Sequence, residues 1–135
     1  MARTLMIISG VIHIAAGVLF IFIPEELLIW SDGKPGEIEI LAVSLFGTSL
    51  FGFGIINYTG RNAIYGGIYG KPIILGNFIF HTVAAVHLLK FTMSSDSAGL
   101  IFSAITGALY LLFAAGFIRL NFFPPVLKTQ TDADW

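Results

Sequence analysis

The chain contains no cysteine, which excludes disulfides, thiolate nucleophiles and Cys-held metal or iron–sulfur centres. Charge is scarce as well. Charged residues make up 11% of the 135 positions, against about 25% in an ordinary soluble domain. The net charge of −1 provides no basic footprint to neutralise phosphates, so nucleic acid is not an expected partner. Every Asp and Glu falls in a joint or tail between long apolar runs. The in-span carboxylate that a small proton-coupled exporter would be expected to carry is therefore missing. No nucleophile–base–acid set is visible, and the polar joints leave little room for extramembrane catalysis. An enzyme is not expected.

Apolar length is what the chain has in abundance. Four apolar stretches, at about 5–23, 38–58, 72–91 and 99–118, occupy most of the sequence. About 20 residues at a 1.5 Å rise cover the roughly 30 Å hydrocarbon core of a bilayer. Apolar residues reach 56% with 13 Phe and 15 Gly, and the mean hydropathy is +0.89. Lipid-facing helices packed through small residues produce such a composition. The expected fold is all-α, a four-helix up-down transmembrane bundle forming one domain over 1–123, with a polar cytoplasmic tail at 124–135. The first stretch is longer than a signal-peptide apolar region, and Pro24-Glu25-Glu26 follows it in place of a small-residue cleavage site. It reads as a retained span.

Charge placement gives direction. Glu25, Glu26, Asp32, Glu37 and Glu39 lie between the first two spans with a lone Lys34, whereas Arg61 and Lys71 lie between the second and third with no acid. Placing both termini inside collects Arg3, Arg61, Lys71, Arg119 and Lys128 there, five of the seven basic residues. The positive-inside rule then makes this a multi-pass protein of the cell membrane with both termini cytoplasmic. The joints fit this plan. Pro24-Glu25-Glu26 is a helix start with acids at the positive dipole end, and Trp30 suits headgroup depth. Ser31 to Gly36 is turn chemistry. The echo Ile64-Tyr65-Gly66 and Ile68-Tyr69-Gly70 allows either an interfacial helical segment or an extension of the third span kinked at Pro72.

Direction allows depths to be compared between helices. His13, Thr48, His81 and Tyr110 fall near the middle of their spans. Such groups are costly in hydrocarbon unless they face the bundle interior. Helical spacing places Ser9, His13 and Gly17 on one face, as it does Ser44, Thr48 and Gly52, then Asn77, His81 and Ala85, then Ser103, Gly107, Tyr110 and Ala114. These stripes are expected to face inward. His13, Thr48, Asn77, His81 and Tyr110 are the candidate ligand-binding residues. His13 and His81 sit on helices running the same way, as diagonal partners, and could supply two imidazole ligands to a haem b. A metal site is not expected, because no carboxylate or thiolate at that depth completes a shell. A second cluster, Asn57, Tyr58, Arg61, Tyr65 and Tyr69, is placed at the inner rim, where it could hold an anionic lipid head or a quinone ring. An aromatic belt with a positive anchor accounts equally for its tyrosines and arginine.

Four spans with a short Arg-led start, the glycine-rich run Gly47-Thr48-Ser49-Leu50-Phe51-Gly52-Phe53-Gly54, and Asn57-Tyr58 before Arg61 resemble the DoxX-like group of small four-helix membrane proteins over about residues 3–120. That resemblance implies an integral subunit or ligand-binding bundle, since relatives include proteins tied to quinol or sulfur oxidation. It carries no catalytic motif across. Two functions are therefore expected to compete. One is an accessory or self-associating membrane subunit, in a larger complex or a homo-oligomer. The other is a redox-linked or hydrophobic-ligand bundle binding quinone, lipid or haem.

Overall fold

A computed structural model describes residues 2–32, 34–63, 67–68, 70–94 and 100–123. Every regular element among them is helical: α1 (Ala2–Phe22), α2 (Pro24–Asp32), α3 (Glu37–Thr59), a 3₁₀ turn (Gly60–Asn62), α4 (Gly70–Ser94) and α5 (Leu100–Phe122). Four of these are long and apolar enough to cross a membrane. The shortest, α1, has 21 residues and so reaches about 30 Å. The tail at 124–135 lies outside the described residues.

Local chemistry sets the helix ends. Pro24 opens α2, with Glu25 and Glu26 in its first turn, where the missing proline N–H costs nothing and the acids face the positive end of the dipole. Gly36 caps α3 in extended conformation, and its N–H donates to Oε2 of Glu39 at 2.9 Å, half of a capping box. The third long helix, α4, begins at Gly70. Pro72 thus falls in its first turn, a position that tolerates proline without a kink. The joint before it contains the short 3₁₀ turn, while Ile64, Tyr65, Gly66 and Tyr69 lie outside the described residues.

The bundle is assembled from two pairs. Along their length α1 packs on α3, and α4 packs on α5, whereas between the pairs the backbones come close mainly where α1 meets α5. Glycine explains the first pairing. Gly10 and Gly17 of α1 face Gly54 and Gly47 of α3, so closely that a Cβ on Gly17 would lie 2.6 Å from the Phe51 nitrogen and one on Gly54 2.7 Å from the Ile14 nitrogen. Glycines seven apart on both helices keep this approach on one face, and close backbone packing is the main attraction between helices in lipid. In the second pair Gly107 meets Leu88 and Leu89, and Thr92 shares a 2.8 Å hydroxyl hydrogen bond with Ser103.

Three of the four expected inward stripes are buried: Ser9, His13 and Gly17; Asn77, His81 and Ala85; Ser103, Gly107, Tyr110 and Ala114. On α3 the buried stripe is Gly47, Leu50, Gly54 and Asn57, and the expected Ser44–Thr48–Gly52 face is turned away. Thr48 and Gly52 are exposed. The physical reason is that hydroxyls need no interior partner. Ser44, Thr48 and Ser49 each donate at 3.0 Å to the carbonyl four residues earlier, a bond available on any helix face. The rest of the outer surface is apolar, with Ile105 66% and Leu112 71% exposed beside Ile101, Ile79 and Val83. An apolar face of that extent requires an apolar surrounding.

Candidate functional site

Inside the bundle the polar residues form two stacked layers. Ser9 on α1, Asn57 on α3 and Asn77 on α4 make the first, and all three are fully buried. The Asn57 carboxamide donates to Ser9 Oγ at 3.0 Å and to Asn77 Oδ1 at 2.7 Å. That of Asn77 donates to Asn57 Oδ1 at 2.6 Å and to the Ile73 carbonyl at 2.9 Å. Both amide groups thus spend both N–H donors, and the reciprocal Asn57–Asn77 pair ties α3 to α4 across the junction of the two helix pairs. Buried amides are costly unless satisfied in this way.

One turn further along the same helices lies the second layer. His13 stands four residues after Ser9, His81 four after Asn77, and Phe53 four before Asn57 on the antiparallel α3. The Nδ1 of His13 donates to the Ser9 carbonyl at 2.6 Å, and that of His81 to the Asn77 carbonyl at 2.6 Å. A carbonyl oxygen only accepts, so both protons sit on Nδ1 and each Nε2 presents a lone pair. Both Nε2 atoms are buried, and neither has a hydrogen-bond partner among the described residues. In a core whose amides are closed to the last donor, these two acceptors are the open valences.

Aromatic rings surround them. The imidazoles meet edge to face with centroids 5.1 Å apart. Tyr110 stacks on His13 at 5.8 Å and Phe117 on His81 at 5.3 Å. Phe53, Phe80 and Phe113 complete the shell, each against both histidines. Beneath the shell, Met6, Ile74 and Leu120 continue the apolar cluster toward the Ala2 end. A haem b does not fit this geometry. Its macrocycle would have to lie between the two imidazoles, and there the rings touch one another. A quinone ring would likewise require the helix pairs to part.

The chain matches no protein-family model, no curated protein and no solved structure. The site must therefore be read from its own residues. His13, His81, Asn77 and Tyr110 come together as expected, while Thr48 does not join them. Asn57, expected at the inner rim, is instead wholly interior, because one residue of helix turns it about 100° from Tyr58. Tyr58 itself stays outside, with the Arg61 guanidinium 4.2 Å above its ring and donating to its carbonyl. That arrangement suits an anchor better than an open receptor. Tyr65 and Tyr69 lie outside the described residues. The four phenylalanines of the shell were not anticipated, although Phe53 could have been found from the four-residue step that it shares with the two histidines. Among the described residues no three His, Cys, Asp or Glu side chains cluster as for a metal ion. A separate groove of about 570 Å³ lies between α1 and α5 near the Ala2 end, bordered by Thr4, Leu5, Ile8, Gly116 and Arg119, none of which belongs to the imidazole layer.

Proposed function

We propose that this chain is a multi-pass cell-membrane protein without catalytic activity of its own, and that it holds a small ligand at mid-depth between its two helix pairs. One observation carries the reading: the fully buried Nε2 atoms of His13 and His81, which have no partner among the described residues. A buried acceptor without a donor forfeits about 1–3 kcal/mol, and here two such atoms occur side by side. The ligand must offer hydrogen-bond donors or an empty orbital to these lone pairs. Tyr110 and the phenylalanine shell supply its apolar walls. The DoxX-like resemblance, which implies an integral subunit or a ligand-binding bundle, is compatible with this assignment.

Native mass spectrometry of the detergent-extracted protein tests it. The wild-type chain is expected to carry added mass that is absent from His13→Phe and His81→Phe, with ¹⁵N spectra showing both Nε2 atoms engaged. A bare chain mass together with free Nε2 resonances removes the proposal. Orientation follows from the basic residues. Arg3, Arg61, Lys71, Arg119 and Lys128 favour cytoplasmic termini, so a reporter fused after Trp135 is expected to read cytoplasmic, and a periplasmic signal would reverse the topology.

A second reading, an accessory or self-associating subunit, is favoured by Gly52 and Gly76. Both are exposed with nothing within 4 Å of a built Cβ. A mid-helix glycine that packs against nothing in its own chain suits close approach by another helix.

A further inference from the structure

We propose that His13 and His81 form a two-coordinate site for a soft monovalent d¹⁰ cation, Cu(I) or Ag(I), bound through their Nε2 atoms. This rests on the ligand-holding reading above and names the chemical class of the ligand.

Four observations converge on it. The first is donor type. Each imidazole has its Nδ1–H fixed on a backbone carbonyl at 2.6 Å, the outer-shell bond that orients a metal-binding histidine and strengthens its other nitrogen as a donor. The second is proximity. The imidazoles are in contact, with ring centroids 5.1 Å apart, so a small movement of the rings brings both Nε2 atoms onto one ion with metal–nitrogen bonds of about 2 Å.

Charge is the third. No carboxylate or thiolate accompanies the two imidazoles among the described residues. The cost of taking an ion out of water grows with the square of its charge, so a divalent ion held by two neutral ligands would be far more expensive than a monovalent one. Alkali cations prefer oxygen donors, whereas copper accepts imidazole, and a d¹⁰ ion is satisfied by two ligands. The fourth is the shell itself. Phe53, Phe80, Tyr110 and Phe113 lie against the imidazoles at 5.0–6.3 Å between centroids. Aromatic rings attract a cation over their faces without contributing charge, and these rings close around the two imidazoles. A bare ion asks for far less separation of the closely packed rings than a quinone headgroup would.

The test uses the full chain in detergent, titrated with Ag(I) in chloride-free buffer and followed by native mass spectrometry and histidine ¹⁵N spectra. One Ag(I) per chain is expected, with both Nε2 resonances shifting. His13→Phe and His81→Phe, which keep an aromatic ring in the shell, are each expected to weaken retention at least 100-fold. His87→Phe should leave it unchanged, because His87 is exposed and bonded to the carbonyl of its own helix. X-ray absorption of the Cu(I)-loaded protein should show two nitrogen neighbours and no sulfur. Sulfur in the first shell would point to Met6 or another methionine and overturn the site, as would binding that survives both substitutions. If Ag(I) is not retained but the wild-type chain carries an organic molecule lost in the same two variants, the cation assignment fails and the ligand-holding reading stands. If neither is seen, both fail.

Discussion

Gly54→Leu is expected to abolish the folded bundle, and Gly54→Ala to destabilise it by about 3 kcal/mol, at the upper end of overpacking costs. A Cβ at this position would lie 2.7 Å from the Ile14 nitrogen and 2.8 Å from the Gly10 oxygen. Both atoms belong to the α1 backbone, so no rotamer change relieves the clash and the two helices must separate. Gly17 is as tight, with the Phe51 nitrogen at 2.6 Å. Separation forfeits the glycine-mediated contact along the whole α1–α3 seam, for which lipid offers no hydrophobic substitute. Gly52→Ala provides the contrast. It lies two residues away on the same helix, has nothing within 4 Å, and gains up to about 1 kcal/mol from helix propensity alone. Reversible unfolding in mixed detergent micelles measures both. Opposite signs at positions 52 and 54 are the expected result. A Gly54→Ala variant within about 0.5 kcal/mol of wild type would mean that the seam is not the joint described here.

The helices and three of their four inward faces were legible in the sequence because the relevant side chains have no alternative. A histidine or asparagine within an apolar run can give one N–H to the carbonyl one turn back, but its remaining polar atoms cannot be satisfied on its own helix and are kept from lipid by facing inward. Ser9–His13, Asn77–His81 and the small residues in register with them therefore marked interior faces. On α3 the same logic chose Ser44 and Thr48, and it failed because a serine or threonine hydroxyl can return to the carbonyl one turn back. Polarity marks the interior for side chains whose polar atoms cannot all be satisfied on their own helix. Asn57 was misplaced for a different reason. Its neighbours Tyr58 and Arg61 are rim residues, and adjacency in sequence suggested adjacency in space. The pairing of α1 with α3 and α4 with α5 was not legible at all. Small residues stripe all four helices, and only close-approach geometry shows which stripes meet. The meeting of His13 and His81 followed from topology, but the aromatic closure that leaves no slot for haem depends on the positions of Phe53, Phe80 and Phe113, which span periodicity does not order.

Asn57→Leu and Asn77→Leu are each expected to cost about 2 kcal/mol, and the double variant less than the sum of the two. Each single change removes both bonds of the reciprocal amide pair and leaves the surviving carboxamide with an orphaned oxygen and one unbonded N–H. For Asn77 the bond to Ile73 remains, and for Asn57 that to Ser9. Hydrogen bonds between helices in a membrane average about 0.6 kcal/mol because the separated helices also find partners. Orphaned groups in a dry core cost about 1–3 kcal/mol. The second effect is the larger, so the penalty comes mainly from the amide left behind. Removing both amides eliminates it, and leucine has an apolar volume suited to that layer. A double-mutant cycle should therefore return a coupling of at least about 1 kcal/mol, against the 0.3–0.5 kcal/mol scatter of independent sites. Additivity would show that the two amides do not act as a pair. Where the double variant folds, its ligand content separates two roles of this layer. Loss of bound mass with stability retained would mean that the amides position the imidazoles one turn away, since the Asn57 and Asn77 side chains tie down the residues whose backbone carbonyls hold the Nδ1 protons. Retention would confine the amides to joining α3 to α4.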